Sequence, residues 1–196
     1  LLKKQVAYRH RNNIYFDVRA FPEFGKLFKI DISSWPTKKV RFSRDTYNGR
    51  RWNRGDFILW HGDADGSIAF DAPFGRGRPA WNVQDPAAVM KHLGEQIDIN
   101  CGGIDNLYRH HDYNIAVMEA ATGKPFARYY LHGEHLLVAG KTMSKSRGNI
   151  IYPGDVYEMG FSPKHLRFFL LSKHYRKKLN YSEHALQQAA GRLDAV

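Results

Sequence analysis

The sequence predicts an α/β fold in which a strand-rich first part leads into alternating strands and helices, and the chain ends in helices. After about residue 80, short apolar and β-branched runs alternate with helical segments that carry start and stop residues. Before it, apolar runs are separated by turns, and a connector rich in Gly, Asp and Pro covers residues 61–79. This alternation is typical of a sheet layered with helices, and 196 residues with 43% hydrophobic content suffice for a core.

The first region, residues 1–75, is predicted to be strand-rich and basic. Residues 13–18 and 56–60 are runs of aromatic, β-branched and other apolar residues, a composition that favours strands. The connector that follows has the turn-forming residues expected at a boundary. We therefore predict that this region is separate from the rest of the chain.

The second region, residues 76–153, is predicted to alternate between strands and helices. Asp85 followed by Pro86 indicates a helix start, because Asp accepts hydrogen bonds at the N-cap and Pro suits the first helical position. Gly123 is a typical residue at which a helix ends. The pattern predicts a strand at 97–99, a helix from about 106 to 122, and strands at 127–132 and 136–138.

The third region, residues 154–196, is predicted to be helical. Ser162 followed by Pro163 indicates a helix start, and that helix is expected to run to about residue 173. Ser182 is the predicted N-cap of a last helix. Its apolar residues form one stripe at helical spacing, which comprises Leu186, Ala189, Ala190 and Leu193.

Composition limits the cellular setting. No apolar run approaches the ~20 residues needed to span a bilayer, and no signal-peptide pattern opens the chain. Cys101 is the single cysteine, so an intrachain disulfide is impossible and a cytoplasmic location is predicted. The chain begins at Leu1 rather than Met, which suggests a fragment or a processed product.

Basic residues mixed with aromatic ones predict contact with nucleic acid. The formal net charge is +11, and cations are dense at residues 38–54 and 173–178. Lysine and arginine neutralise phosphates, and aromatic rings stack on unpaired bases. A solubilising basic face is the alternative that charge alone leaves open.

Residues 141–149, which read KTMSKSRGN, predict a polyphosphate-binding loop. Lys141, Lys145 and Arg147 supply cations, and Ser144 and Ser146 supply uncharged hydrogen bonds to phosphate oxygens. In an open α/β sheet, such a loop after a strand lies at the edge where ligands bind. A solvated basic turn has a similar composition and stays as the alternative.

A second short motif follows the strand predicted at 97–99. Gly102 and Gly103 allow a flat ligand to approach the backbone closely, and Asp105 can accept hydrogen bonds from ribose hydroxyls. A tight turn with an Asp helix cap explains the same residues equally well.

Taken together, five segments resemble the cysteinyl-tRNA synthetases, which are class I aminoacyl-tRNA synthetases. The loop 141–149 resembles their KMSKS signature, and order and spacing agree with the family from about residue 56 to 190. Those segments are Gly77-Arg78-Pro79-Ala80-Trp81, Gly102-Gly103-Ile104-Asp105 with His110-His111, residues 120–126, the loop 141–149, and His174-Tyr175-Arg176 with residues 179–183.

The resemblance implies a fold and an activity. Residues 76–153 are expected to be the second half of a Rossmann-like parallel nucleotide-binding sheet, after a connective insertion at 1–75 and before a helical stem-contact region at 154–196. The implied activity is formation of an aminoacyl-adenylate from ATP, with Mg²⁺, followed by transfer of the aminoacyl group to tRNA. The tRNA is expected to contact the basic surfaces at 38–54 and 173–178.

The resemblance also assigns site residues. Catalytic roles fall on Lys145, which stabilises the triphosphate, and on Lys141, Ser144 and Ser146. The expected ATP-binding residues are Gly102, Gly103, Asp105, Met143 and Lys145. The expected amino-acid pocket comprises Trp81, Asp85, His110, His111 and Asn114.

Three departures from the family bear on activity. No histidine of the chain lies in a HIGH sequence, so we expect the chain to be the second half of a catalytic domain and to be inactive alone. Thr142 takes the place of the first KMSKS lysine, although Lys141 is adjacent. Of the family's zinc ligands, His110 is retained, whereas Asp85 replaces a cysteine and Asn114 replaces a glutamate. Neutral Asn is a poor zinc ligand, so zinc binding is not expected.

Three functions therefore remain open from the sequence. The chain belongs to a cysteine-specific ligase, or to a diverged paralogue that activates another amino acid or uses a non-tRNA acceptor. The third is a non-catalytic module that binds tRNA. Retention of Lys145, Asp105 and Trp81 argues against the third function, because a pure binding module needs no ATP loop.

Overall fold

A computed structural model describes residues 1–35, 55–62 and 68–196. The basic surface predicted at 38–54 lies outside these residues. The chain divides into two compact units by its internal contacts. The first unit comprises Leu1–Asn100 and Asp105–Tyr130, and the second comprises Cys101–Ile104 and Leu131–Val196.

A four-stranded antiparallel sheet is the framework of the first unit. The strands follow one another in chain order, each paired with the next. The predicted strands at 13–18 and 56–60 are confirmed as β2 and β3, whereas β1 and β4 were not predicted. The strands are β1 (Ala7–His10), β2 (Asn13–Phe16), β3 (Phe57–Gly62) and β4 (Gly77–Pro79).

The first helix does not begin where the sequence predicts. Helix α1 spans Trp81–His92, so Pro86 lies inside it and Asp85 is not its N-cap. The Asn82 side chain donates to the Ile58 carbonyl over 3.1 Å, and the Gln84 side chain donates to the Pro79 carbonyl over 3.0 Å. These bonds tie the first turn of α1 to the sheet. They favour an earlier start, despite the backbone hydrogen bond that Pro86 cannot donate.

Between α1 and the end of the first unit, the predicted elements are confirmed with one difference in helix type. Strand β5 covers Ile97–Gly103 and pairs with β6, Ala127–Gly133. The helix predicted from residue 106 is α-helical only in α2, Tyr113–Thr122, after a π-helical segment at Leu107–Asp112. It ends at Gly123, which has a left-handed conformation with φ of 74°.

Stacked aromatic rings form the core of the first unit. The Phe57 ring stacks on the Phe16 ring at a centroid distance of 4.9 Å and on the Tyr113 ring at 4.0 Å. Ala116 and Val117 of α2 are buried in the same cluster. The aromatic residues of the predicted strands therefore hold α2 against the sheet.

A three-stranded sheet and three helices make up most of the second unit. The strand order is β8-β7-β9, and β7 is antiparallel to β8 but parallel to β9. The strand predicted at 136–138 is confirmed. The elements are β7 (Leu136–Val138), β8 (Lys141–Thr142), α3 (Pro153–Glu158), α4 (Pro163–Leu171), β9 (Leu179–Tyr181) and α5 (Glu183–Asp194).

Both serine caps predicted for the second unit are confirmed. The Ser162 hydroxyl accepts a hydrogen bond from the His165 amide over 3.3 Å, and the Ser182 hydroxyl accepts one from the Ala185 amide over 3.2 Å. Helix α4 ends at Leu171, two residues before the predicted end. The apolar stripe of α5 is buried against α3, α4 and β9 in a cluster that includes Val156, Phe169, Tyr181, Leu186 and Ala189.

The division of the chain into regions at 1–75, 76–153 and 154–196 remains a prediction. β3 and β4 pair across the first of those boundaries. Within the described part of the chain, no helix is both long enough and apolar enough to cross a membrane.

Candidate active site

A tight hairpin precedes the cationic loop 141–149. Strands β7 and β8 are joined by Ala139 and Gly140 alone, and both have positive φ angles, of 49° and 74°. This is the backbone of a two-residue hairpin turn whose twist matches the strands. Gly140 adopts it at little cost, whereas Ala139 is strained there. Lys141 follows the turn directly, so the turn fixes where the first cation of the loop begins.

Asn149 closes the loop on itself. Its side-chain oxygen accepts a hydrogen bond from the Ser144 amide over 2.9 Å, and its side-chain nitrogen donates to the Thr142 carbonyl over 3.3 Å. The Arg147 guanidinium donates to the same Thr142 carbonyl over 3.1 Å. A short 3-10 turn over Lys145–Arg147 ends at Gly148, whose φ is 63°. The loop therefore has a defined backbone, unlike a freely solvated basic turn.

The cations of this loop have no ion-pair partner among the residues that the structure describes. Lys141, Lys145 and Arg147 are exposed, and none of them belongs to an ion pair within the part of the chain that the structure describes. Three positive charges thus lie within seven residues without a carboxylate partner in the described ranges 1–35, 55–62 and 68–196. Such a group of cations attracts a polyanion, because the charge is not already compensated.

A surface depression with a volume of about 840 Å³ lies beside the loop. Lys141 and Arg147, two of the three cations, are among the residues that line it, which favours an anionic ligand such as a phosphate chain. Ser144 and Ser146 lie 3.3 Å apart, hydroxyl to hydroxyl, on the same loop. The depression is lined by Val138, Ala139, Gly140, Lys141, Thr142, Arg147 and Asn149.

The structure thus brings Lys141, Ser144, Lys145 and Ser146 together on one loop, as predicted from the sequence. Within that loop, the Asn149 side chain donates to the Thr142 carbonyl, and one residue from outside the predicted site also contributes. Asn180 of β9 accepts a hydrogen bond from the Gly140 amide over 2.8 Å. That bond joins residues forty positions apart, and no sequence pattern signals it.

The residues predicted to bind the rest of ATP lie on three segments of the chain. Gly102 and Gly103 form the end of β5, and Asp105 lies in the 3-10 turn Ile104–Asn106. Asp105 is exposed, and Gly102 and Gly103 are half-buried. Met143 is half-buried in the cationic loop. A 3-10 turn that carries Asp is compatible with both the ribose contact and the simple helix cap considered above.

The predicted amino-acid pocket residues all lie in the first unit, in differing environments. Trp81, at the start of α1, is 69% exposed. Asp85 and His110 are exposed, whereas His111 and Asn114 are buried. His110 lies in the π-helical segment and Asn114 lies in α2, so the two side chains are in different environments although they are four residues apart.

A buried carboxylate that the sequence analysis overlooked lies beside these residues. Asp112 is 1% exposed and accepts hydrogen bonds from the Leu27 amide over 3.1 Å and the Phe28 amide over 3.0 Å. Burial raises the pKa of Asp112, and the two amides and the Lys26 ammonium oppose that rise. Asp112 thus holds the 21–30 segment against the end of the π-helical segment, which is a structural role.

The residues at the expected zinc position do not provide a zinc donor set. Among the described residues, no three His, Cys, Asp or Glu side chains come together in a way that could hold a metal ion. His110 and Asp85 are exposed, and Asn114 contributes an amide in place of a carboxylate. Zinc in proteins is held by thiolate, imidazole and carboxylate ligands.

At the predicted basic surface 173–178, two rings and a cation form a stack. The His174 and Tyr175 rings stack at 4.5 Å, and the Arg176 guanidinium lies 5.4 Å from the centre of the Tyr175 ring. All six residues of this surface are exposed. A surface that combines cations with an accessible ring is suitable for nucleic acid.

An α/β fold with an uncompensated cationic loop after a strand defines a class of protein suited to phosphate ligands. More specifically, the chain belongs to the family of class I (C) tRNA synthetase catalytic domains, whose model matches residues 1–191. This match confirms the resemblance to the cysteinyl-tRNA synthetases inferred from the motifs.

Curated relatives agree with that membership. The chain is 43% identical to the cysteine–tRNA ligase of Chlamydia pneumoniae over 190 residues, which is 95% of the chain and 40% of that relative. It is 40% identical to the cysteine–tRNA ligase of Bacillus velezensis over 188 residues, which is 96% of the chain and 39% of that relative. The chain thus spans about two fifths of the length of the curated relatives it matches.

A solved structure shares the fold. Methionyl-tRNA synthetase of Mycobacterium tuberculosis, solved in complex with methionyl-adenylate, superposes with a TM-score of 0.60 at 18% sequence identity. The match covers 90% of this chain and 36% of that one. The mixed α/β class, with parallel strand pairing, is therefore confirmed as the fold of a class I synthetase catalytic domain.

Proposed function

We propose that this chain is the second half of the nucleotide-binding region of a cysteinyl-tRNA synthetase-like ligase. The observation that carries the proposal is the cationic loop 141–149, whose backbone is fixed by Asn149 and whose three cations have no carboxylate partner among the described residues. A fixed, uncompensated cationic loop is suited to a triphosphate. Family membership supports the assignment of that triphosphate as ATP.

In the proposed reaction, an oxygen of the amino-acid carboxylate forms a bond to the α-phosphorus of ATP. The bond from that phosphorus to the bridging oxygen of the β-phosphate breaks, and pyrophosphate leaves with the electron pair. Lys145 and Lys141 stabilise the negative charge that grows on the leaving group, and Ser144 and Ser146 hold the loop in register. Catalysis by this part of the chain is thus positioning and electrostatic stabilisation.

The remaining assignments belong to the same proposal. Gly102, Gly103, Asp105 and Met143 bind the adenosine side of ATP, with Mg²⁺ on the phosphates. Trp81, Asp85, His110, His111 and Asn114 form the amino-acid pocket. The tRNA contacts the basic surfaces at 38–54 and 173–178, and the protein acts in the cytoplasm. The 196-residue chain alone is proposed to be inactive, because it contains no HIGH sequence.

A second candidate is a diverged ligase that activates an amino acid other than cysteine. The exposed Asp85 and the buried amide of Asn114 favour it, because Asp85 stands where the family has a zinc-binding thiolate and Asn114 stands where it has a zinc-binding carboxylate. Elemental analysis of the purified complete gene product checks this point. We expect substoichiometric zinc, and stoichiometric zinc that is lost in His110→Ala would contradict it.

The experiment that tests the proposal is ATP–pyrophosphate exchange by the complete gene product with each standard amino acid, with and without added zinc. Exchange with cysteine alone supports the cysteine-specific ligase. Exchange with another amino acid, independent of zinc, supports the diverged ligase. Silence across the panel, together with tRNA binding that depends steeply on salt, would replace both with a non-catalytic tRNA-binding module.

A further inference from the structure

The turn that precedes the cationic loop is held from outside the hairpin by a side chain of β9. The Gly140 amide donates a 2.8 Å hydrogen bond to the side-chain oxygen of Asn180. Gly140 lines the surface depression and is followed immediately by Lys141. A change in the position of Gly140 therefore moves the first cation of the loop and one wall of the depression.

Asn180 is itself placed by the core of the second unit. It pairs with Leu137 in the parallel register of β7 and β9, and the next residue, Tyr181, is buried. The Tyr181 ring contacts the Phe169 ring edge-to-face at a centroid distance of 5.9 Å. The Asn180 side chain is exposed. Its acceptor oxygen therefore lies outside the core, although the backbone of Asn180 is held in place by the core.

The turn needs such support because its backbone is strained. Ala139 has a φ of 49°, a left-handed conformation that is unfavourable for a non-glycine residue. Strained positions persist where surrounding interactions over-determine them. Within the described part of the chain, Asn180 supplies the side-chain hydrogen bond to this turn, and Asn149 closes the loop further along.

We propose that Asn180 is a positioning residue for the phosphate site: through the Gly140 amide, it fixes the hairpin turn that sets Lys141 and the depression beside it. This inference rests on the proposed function, because it assumes that the depression binds phosphate. Asn180 touches no reacting atom in this arrangement. Its effect passes through the turn.

The test compares binding of inorganic tripolyphosphate to the native protein and to Asn180→Leu, by titration calorimetry at fixed ionic strength. Leucine has a similar size and removes the acceptor, so we expect the affinity to fall about fivefold, the factor for one net hydrogen bond. Gln187→Leu is the matched control, because it replaces another exposed side-chain amide of the second unit with the same residue. Its affinity should equal that of the native protein.

Hydrogen exchange separates positioning from loss of structure. In Asn180→Leu, the Gly140 amide should exchange faster, whereas the Val138 amide in β7 and the Leu186 amide in α5 stay protected. Asn180→Asp keeps an acceptor of the same length and should restore protection at Gly140. If Asn180→Leu unfolds, Asn180→Ser replaces it, because its shorter hydroxyl cannot reach Gly140.

In the complete gene product, the same variant should raise the KM for ATP in pyrophosphate exchange by a similar factor, while the KM for the amino acid is unchanged. A folded Asn180→Leu protein that binds tripolyphosphate as tightly as the native protein would overturn the positioning role alone. Native protein that fails to bind tripolyphosphate at all would overturn the proposed phosphate site, and this inference with it.

Discussion

Lys145 is in a different electrostatic setting from other lysines of this chain. Lys26 forms ion pairs with Glu23 and Glu119, and Lys124 forms one with Glu95. Lys145 has no carboxylate partner among the described residues, and its charge is available to a ligand. Lys141 and Lys164 also lack a carboxylate partner among the described residues, so the position of Lys145 on the fixed loop 141–149 is what makes it suited to bind phosphate.

Replacement of Lys145 should therefore affect the reaction more than the fold. In the complete gene product, we expect Lys145→Ala to lower the rate of ATP–pyrophosphate exchange by about 10²-fold, the usual effect of removing one preorganised stabilising group. Lys164→Ala, an exposed lysine of α4, is the control and should leave exchange unchanged. Equal rates for native protein and Lys145→Ala would remove this lysine from the proposed mechanism.

The sequence could identify the charged residues of the site but not those that position them. Lys141, Lys145 and the two serines are adjacent in the chain, so composition alone brings them together. Asn149 and Asn180 act through hydrogen bonds to backbone groups. The residue type Asn does not indicate which backbone group, if any, its side chain will bond. Only the three-dimensional position shows that the Asn180 side chain meets the Gly140 amide.

Sequence rules predicted a helix start correctly where the capping hydrogen bond joins residues close together in the chain. Ser162 and Ser182 cap α4 and α5 through amides three residues later in the chain. The start of α1 is set instead by bonds from Asn82 and Gln84 to residues of the sheet. A sequence rule cannot detect those tertiary partners, so the Asp85-Pro86 signal was wrong.

The cap of α4 gives a stability prediction at this scale. Ser162→Ala removes the acceptor for the His165 amide and should lower the free energy of unfolding by about 1 kcal/mol. Ser172→Ala, at the other end of the same helix, removes a hydroxyl that makes no hydrogen bond to the described residues, and it serves as the matched control. Urea denaturation followed by circular dichroism measures both. Equal losses in the two variants would contradict the capping role.

The pairing of β3 with β4 should make stability depend on pH. His61 lies opposite Arg78, and burial together with the Arg78 charge lowers the pKa of His61 below its usual 6.5. A lowered pKa in the folded state contributes stability that is present above pH 6.5 and is lost as pH falls towards the folded value. Native protein should thus lose more stability than His61→Gln between pH 7.5 and pH 5, measured by urea denaturation. An identical loss in both proteins would exclude this histidine as the source.

At the scale of the whole molecule, charge is the property that the sequence describes best. The net charge of +11 is known without any structure. The structure adds that Arg176 lies over the Tyr175 ring, which stacks on the His174 ring, at an exposed surface. The strand order β8-β7-β9 was not predicted, because the sequence of a short strand does not indicate which other strand it pairs with. Long-range pairing depends on packing of the entire unit.

That charge should govern the affinity for nucleic acid. We expect the logarithm of the association constant for unfractionated tRNA to fall linearly with the logarithm of salt concentration. Arg176→Ala should reduce the steepness of that line by about 0.9 if this side chain neutralises one phosphate. Arg128→Ala removes the same charge from β6, where Arg128 faces Asp98 at 3.6 Å, and should leave the slope unchanged. Equal slopes for native protein and Arg176→Ala would exclude that contact.

The parallel pairing of β7 with β9 also has a consequence for how the protein folds. The two strands are separated in the chain by the cationic loop, α3 and α4, and the Gly140–Asn180 bond closes a span of forty residues. Closing a long span costs chain entropy before the contact repays it, so such pairs form late. The hairpin turn is therefore expected to reach its final position only after the helices have docked. During refolding, the capacity to bind tripolyphosphate should recover together with the last phase of tertiary structure and not with the earlier formation of helix.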